Sequence, residues 1–127
     1  MTERFAREVN LLRRIYAGVE PSDDGAYVQV RNIALPPGWN RSSADVLIAV
    51  PPGYPVTPPD NFFVPVGLRL ANGQMPSNYS EGTIMLNQEW GQFSFHSQEW
   101  QPTPEESHGD NLLTFLALVE RRLSEVN

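Results

Sequence analysis

Apolar residues recur at helical spacing near both ends of this chain and at strand spacing between them. From Thr2 to Tyr16, the residues Phe5, Val9, Leu12 and Tyr16 fall at i, i+4, i+7 and i+11. That is the stripe of an amphipathic helix that buries one face. Thr2 suits the N-cap, and Glu3 suits the positive end of the helix dipole. Arg4, Arg7 and Arg14 are expected on the opposite side, where a solvated polar face is the ordinary outcome. Pro21-Ser22-Asp23-Asp24-Gly25 reads as a turn. Ala26 to Ile33 then alternates, with Val28 and Val30 on one face and Tyr27, Gln29 and Arg31 on the other, which predicts a half-buried strand. After a loop at Leu35 to Asn40, a second strand is expected at Ala44 to Val50. A third is expected at Asn61 to Val64, with Phe62 and Phe63 facing opposite sides. Three strands with no helix between them predict an antiparallel meander.

Between Pro65 and Gly109 the periodicity lapses over a length unusual for a connection, which points to a functional or specially packed segment. Trp90, Phe93, Phe95 and Trp100 argue that it is ordered. The pattern closes with a helix from Asn111 to Glu125, striped by Leu112, Leu116, Val119 and Leu123 and broadened by Leu113, Phe115 and Leu118. Asp110 is the candidate cap, and Arg121-Arg122 suit the C-terminal end. The expectation is an α+β fold, with residues 1–127 forming one domain.

Composition removes several classes of function. The 127 residues include no cysteine, which excludes disulfides, thiolate metal sites and cysteine nucleophiles. A net charge of −6 argues against nucleic-acid binding, which needs a basic footprint. Met1 to Glu20 hold no unbroken apolar run, so neither a signal peptide nor a membrane span is expected, and the cytoplasm is the default location. All nine basic residues are arginine. Either a GC-rich genome encodes Arg in place of Lys, or a component of a conjugation pathway avoids presenting acceptor amines. Pro36-Pro37-Gly38 and Pro51-Pro52-Gly53 are turn chemistry rather than phosphate loops. His96 and His108, with Glu99, Glu105, Glu106 and Asp110, match no compact zinc spacing, so neither metal nor cofactor is expected.

Four segments carry a resemblance. Tyr54-Pro55-Val56-Thr57-Pro58-Pro59 is similar to the Tyr-Pro-x-x-Pro-Pro turn of ubiquitin-conjugating enzymes, and Gly82-Thr83-Ile84-Met85-Leu86-Asn87 resembles their Gly-x-Ile-Cys-Leu-Asp active-site segment. Ten residues before Met85 stands Met75-Pro76-Ser77, where the family carries His-Pro-Asn. Trp100-Gln101-Pro102 resembles the Trp-Ser-Pro that follows the active site. More narrowly, Tyr54-Pro55, Pro59-Asp60, Leu70-Ala71-Asn72-Gly73, Trp90, Phe93, Ser94, His96, Trp100 and Pro102 resemble the prokaryotic conjugating-enzyme-like family E. The resemblance implies a UBC-like or RWD-like fold: N-terminal helix, antiparallel meander, long irregular active-site-like segment and C-terminal helix.

It also implies what chemistry is missing. A conjugating enzyme needs a thiolate to carry an acyl group and an Asn amide to steady the oxyanion. Met85 at the cysteine position cannot accept an acyl group, and Met75 and Ser77 replace His and Asn. The expected function is therefore that of a non-catalytic adaptor or scaffold in a bacterial ubiquitin-like modification pathway. Its expected partners are a ubiquitin-like protein, an activating-enzyme-like protein, or both, with Arg4, Arg7 and Arg14 on the face that meets the activating enzyme in the family. Trp39, Tyr54, Phe62 and Phe63 are weighed as contacts too, with core packing favoured. Two alternatives stay open. One is cysteine-free chemistry centred on His96, with Ser94 and a nearby Asp110 as imaginable companions. The other is a generic RWD-like interaction module.

Overall fold

A computed structural model describes residues 2–127. Helix α1 (Glu3–Arg13) leads into strands β1 (Val19–Pro21), β2 (Tyr27–Ala34), β3 (Ser43–Ala49), β4 (Asp60–Pro65), β5 (Tyr79–Met85) and β6 (Gln88–His96), and helix α2 (Leu112–Ser124) closes the order. The strands form one antiparallel sheet in the order β1-β2-β3-β4-β6-β5. Both helices cover one face, where Phe5, Val9 and Leu12 of α1 and Leu112, Phe115, Leu116, Val119 and Leu123 of α2 meet Val28, Val30, Ile48, Phe62, Val64 and Phe93. On the opposite face Leu47, Phe63 and Trp90 make a smaller apolar cluster, joined by Met85. Phe62 and Phe63 thus serve the two faces, as strand alternation requires.

Local chemistry explains the boundaries. The Thr2 hydroxyl oxygen accepts from the Phe5 amide at 3.0 Å and starts α1. The helix stops at Arg13, so Tyr16 packs on the core from beyond the helix rather than on its stripe. Burial and the Glu120 carboxylate push its hydroxyl up to about 12. In β2 the alternation slips at Arg31-Asn32, where Asn32 takes φ 57° and the register with β3 shifts, returning Ile33 to the core. For α2 the cap is Asn111, not Asp110: its side chain accepts from the Thr114 amide at 2.9 Å while the Thr114 hydroxyl accepts from the Asn111 amide at 2.9 Å.

The main departure lies between Pro65 and Gly109. Instead of being irregular throughout, this stretch contains the β5–β6 hairpin, and β6 inserts beside β4. Leu86 and Asn87 both adopt left-handed φ, 52° and 58°, as a two-residue turn of the I′ kind demands. The strand β1 was also not evident in the sequence.

Candidate functional site

The Tyr54 turn is held by a corner that joins both helices. Trp100 donates from Nε1 to the Pro55 carbonyl at 2.7 Å, and its ring lies 6.1 Å from that of Tyr54. The Tyr54 hydroxyl donates to Glu8, whose side chain is fully buried. The same carboxylate accepts from the Leu112 amide at 2.6 Å, at the N-terminus of α2, and from Arg4 Nε at 2.7 Å. Burial and the neighbouring Glu8 charge raise the Tyr54 hydroxyl well above its ordinary range, so Tyr54 is a permanent donor. Arg4 also donates to the carbonyls of Thr103 and Asp110. Glu8 therefore ties α1, the Tyr54 turn and α2 into one unit. A buried carboxylate with three donors is satisfied in place; without any of them it would be costly.

This placement changes the reading of the arginines. Arg4, expected on a free polar face, is only 13% exposed and serves the corner. Arg7 is half exposed and pairs with Glu106 at 2.8 Å and Glu3 at 3.6 Å. Arg14 is exposed, beside an Ile15 that is 65% exposed. The three do not form one open patch.

The positions matched to the conjugating site are separated. Met75 is exposed, Pro76 is buried, and Ser77 lies against the C-terminal segment, its amide donating to the Asn127 carbonyl at 3.2 Å and its carbonyl accepting from Arg122 at 2.9 Å. That is the helix side of the sheet. Met85 closes β5 on the other face, packed against Leu47, Phe63 and Trp90, and its carbonyl accepts from the Trp90 indole at 2.9 Å. The physical cause is a bulge at Gly82, φ 102°, between Glu81 and Thr83. Before it, Tyr79 pairs with Phe93 on the helix side; after it, Thr83 pairs with Trp90 on the far side.

Below the bulge a second carboxylate is pinned. Glu81 accepts from Arg69 at 2.8 Å and 3.0 Å, from the Tyr79 hydroxyl at 2.7 Å and from the Gly67 amide at 2.7 Å. The Arg69 hydrogen bonds, followed by those from Tyr79 and Gly67, hold it down to about 2. Tyr79 lies over Gly91, where any Cβ would strike its ring.

His96 has a different setting. It ends β6 opposite Asp60, and its Nδ1 contacts the Asp60 carboxylate, which orients the ring and leaves Nε2 for a ligand. Both residues are about two-thirds exposed. The Asn61 bulge (φ 61°) sets this pair, its side-chain oxygen accepting from the Phe95 amide at 2.9 Å. A groove of about 770 Å³ runs between Ser94–Glu99 and the α2 residues Thr114, Leu118, Arg121 and Arg122. No hydrogen bond joins Ser94 to His96 among the described residues. The aspartate at His96 is Asp60, not Asp110, whose carboxylate instead accepts from the Gln101 amide at 2.7 Å and the Thr114 hydroxyl at 3.1 Å. Met85 pairs with Gln88, eight residues up β6 from His96, or roughly 26 Å at about 3.3 Å per residue. The two candidate centres are at opposite ends of the hairpin. Among the described residues no group of three His, Asp or Glu side chains is arranged to hold a metal, and no helix is long and apolar enough to cross a membrane.

Asp60 and Glu8 were not singled out as functional side chains from sequence. Asp60 meets His96 only through the β4–β6 register, and Glu8, beyond its i, i+4 partner Arg4, meets Tyr54 and Leu112 from far along the chain, so neither long-range contact carries a local signal.

A helix-covered antiparallel sheet with a Tyr-Pro turn locked by a Trp beyond the long segment defines a ubiquitin-conjugating-enzyme-like protein. The model of Prokaryotic E2 family E matches residues 7–126, and the chain belongs to that family. Neither curated proteins nor solved structures give a significant match to it.

Proposed function

We propose that this chain is a non-catalytic conjugating-enzyme-like adaptor in a bacterial ubiquitin-like modification pathway, acting in the cytoplasm without a cofactor. Its partners are a ubiquitin-like protein, an activating-enzyme-like protein, or both. One observation carries this reading: Met85 and Met75–Ser77, the positions matched to the thioester site, lie on opposite faces of the sheet, in a chain without cysteine. Such a site has neither a nucleophile nor a shared cavity for one. Family membership supports the partner class.

The surface left for docking is Arg7 on α1 with Arg14 and Ile15 just beyond its end, since Arg4 is committed to Glu8. Native mass spectrometry with the ubiquitin-like and activating-enzyme-like proteins of the same genome tests this. A noncovalent complex weakened about tenfold by Arg7→Glu with Arg14→Glu is expected, the scale of two lost rim charges. Failure to bind either protein would instead favour a generic interaction module.

The His96–Asp60 pair beside the groove favours a second reading, proton transfer by an oriented imidazole. It requires an acyl donor brought by a partner, or Ser94 as its nucleophile.

A further inference from the structure

Two surface turns of this chain are built alike. In Ser22-Asp23-Asp24-Gly25 the Gly25 amide donates to the Ser22 carbonyl at 3.1 Å, and the Ala26 amide donates to the Asp24 side chain at 3.0 Å. In Leu70-Ala71-Asn72-Gly73 the Gly73 amide donates to the Leu70 carbonyl at 2.8 Å, and the Gln74 amide donates to the Asn72 side-chain oxygen at 3.0 Å. Both glycines take positive φ, 72° and 90°. The turns differ at the residue before glycine, a carboxylate in one and an amide in the other. The Ala26 amide, then the Ser22 hydroxyl, hold the Asp24 carboxyl below its usual range, so it stays ionised and resists nucleophiles. The Asn72 amide is neutral, and the Gln74 N–H polarises its carbonyl.

We propose that Asn72 is a covalent modification site of this chain, converted by the neighbouring backbone and water to aspartate and isoaspartate. The Gly73 nitrogen gives up its proton and bonds to Asn72 Cγ, while the side-chain NH2 group leaves as ammonia, taking up a proton. The product is a five-membered succinimide. Water then opens the ring at one of its two carbonyls. Opening at Cγ gives aspartate; opening at the main-chain carbonyl gives isoaspartate, whose backbone runs through the side chain. Of the nine asparagines only Asn72 precedes glycine. Nothing stands within 4 Å of the place a Gly73 side chain would occupy, so the approach is uncrowded. Gly73 must first release the Leu70 carbonyl. Residues Ala71 to Met75 are all exposed, so that opening breaks no buried contact and stays local. Either product adds a negative charge to a chain of net −6. Isoaspartate also lengthens the main chain inside the turn that the Leu70 amide and Gln74 carbonyl close at 3.0 Å, next to the bridge from Leu70 to Trp39.

The test holds the folded chain in warm, mildly alkaline buffer and follows it by peptide mapping with mass spectrometry. Isoaspartate is counted by methyl transfer with an isoaspartate carboxyl methyltransferase. Exchange of NH2 for OH is expected at Asn72 ahead of every other asparagine, faster as pH rises because the attacking amide must lose its proton. The methyl transfer should be lost in Asn72→Ser. Asp24→Asn, confirmed as folded by circular dichroism, should gain a second reactive position in the matching turn. An intact Asn72 in the folded chain, while the urea-unfolded chain reacts there, overturns the proposal, because the closed turn then protects it. Earlier reaction at another asparagine overturns it too, as does a folded Asp24→Asn that stays intact at that position. Should Asp24→Asn fail to fold, the time course of the unsubstituted chain decides alone.

Discussion

The Tyr54–Trp100 corner and the Met75–Met85 stretch rest on the same family resemblance, and the fold treats them in opposite ways. At the corner, Tyr54, Pro55 and Trp100 are brought together and locked onto a buried Glu8. In the stretch, a one-residue bulge at Gly82 sends Met85 to the far face of the sheet, away from Ser77. On the proposed non-catalytic reading, the difference teaches which parts of the scaffold persist when the reaction is lost. The corner joins α1 to α2 and to the Tyr54 turn, so its loss would destabilise the packing of both helices. A thioester site contributes chemistry rather than stability, and nothing in the packing requires its residues to stay together.

The largest test of that contrast is at Glu8. Glu8→Ala leaves Arg4, Tyr54 and the Leu112 amide without their acceptor in a buried site, and should cost about 3–5 kcal/mol in urea unfolding. Glu8→Gln keeps the shape and an acceptor but loses the charge, and should fall between it and the native chain. Next, Trp100→Ala removes a half-buried indole and its bond to the Pro55 carbonyl, for about 2 kcal/mol. Met85→Cys, which puts a cysteine where the resemblance to ubiquitin-conjugating enzymes expects one, should cost about 1 kcal/mol of lost packing against Trp90. It should still form no thioester with a charged ubiquitin-like protein, as an intact-mass assay would show; an efficient thioester there would break the comparison.

The smallest effect expected is one of pH. The folded-state pKa of Glu81, about 2, lies below its ordinary 4.5. Its contribution to stability is therefore fully present above about 4.5 and is lost as pH falls from there through about 2. Acid titration of the unfolding free energy should show this slope, and Glu81→Gln should flatten it while leaving Met85 packed as before.

Much of the fold was legible because it rests on repeated local patterns. The stripes Phe5-Val9-Leu12 and Leu112-Leu116-Val119-Leu123 mark both helices, and Val28-Val30 and Val46-Ile48 mark the strands they cover. The β5–β6 hairpin was hidden for physical reasons. Its turn is Leu86-Asn87 without glycine, and β5 is an edge strand with few buried side chains. Phe93 and Phe95 do alternate with Gln92, Ser94 and His96, a strand signal obscured by the exposed residues around it. The long-range carboxylate contacts were beyond reach. Neither Glu8 with Leu112 nor Asp60 with His96 has any periodicity to announce it. Arg4 shows the same limit from the other side, since helical phase predicts it in solvent, whereas Glu8 one turn on and the distant carbonyls of Thr103 and Asp110 draw it inward.

The central claim is that this scaffold binds but does not carry an acyl group. The most direct measurement incubates the chain with the ubiquitin-like and activating-enzyme-like proteins of its own genome and ATP, and weighs the products by intact-mass spectrometry. The account predicts no mass added to this chain, with a noncovalent complex under native conditions. A covalent adduct lost in His96→Ala or Ser94→Ala would contradict it and make the His96–Asp60 end of the hairpin the seat of cysteine-free chemistry.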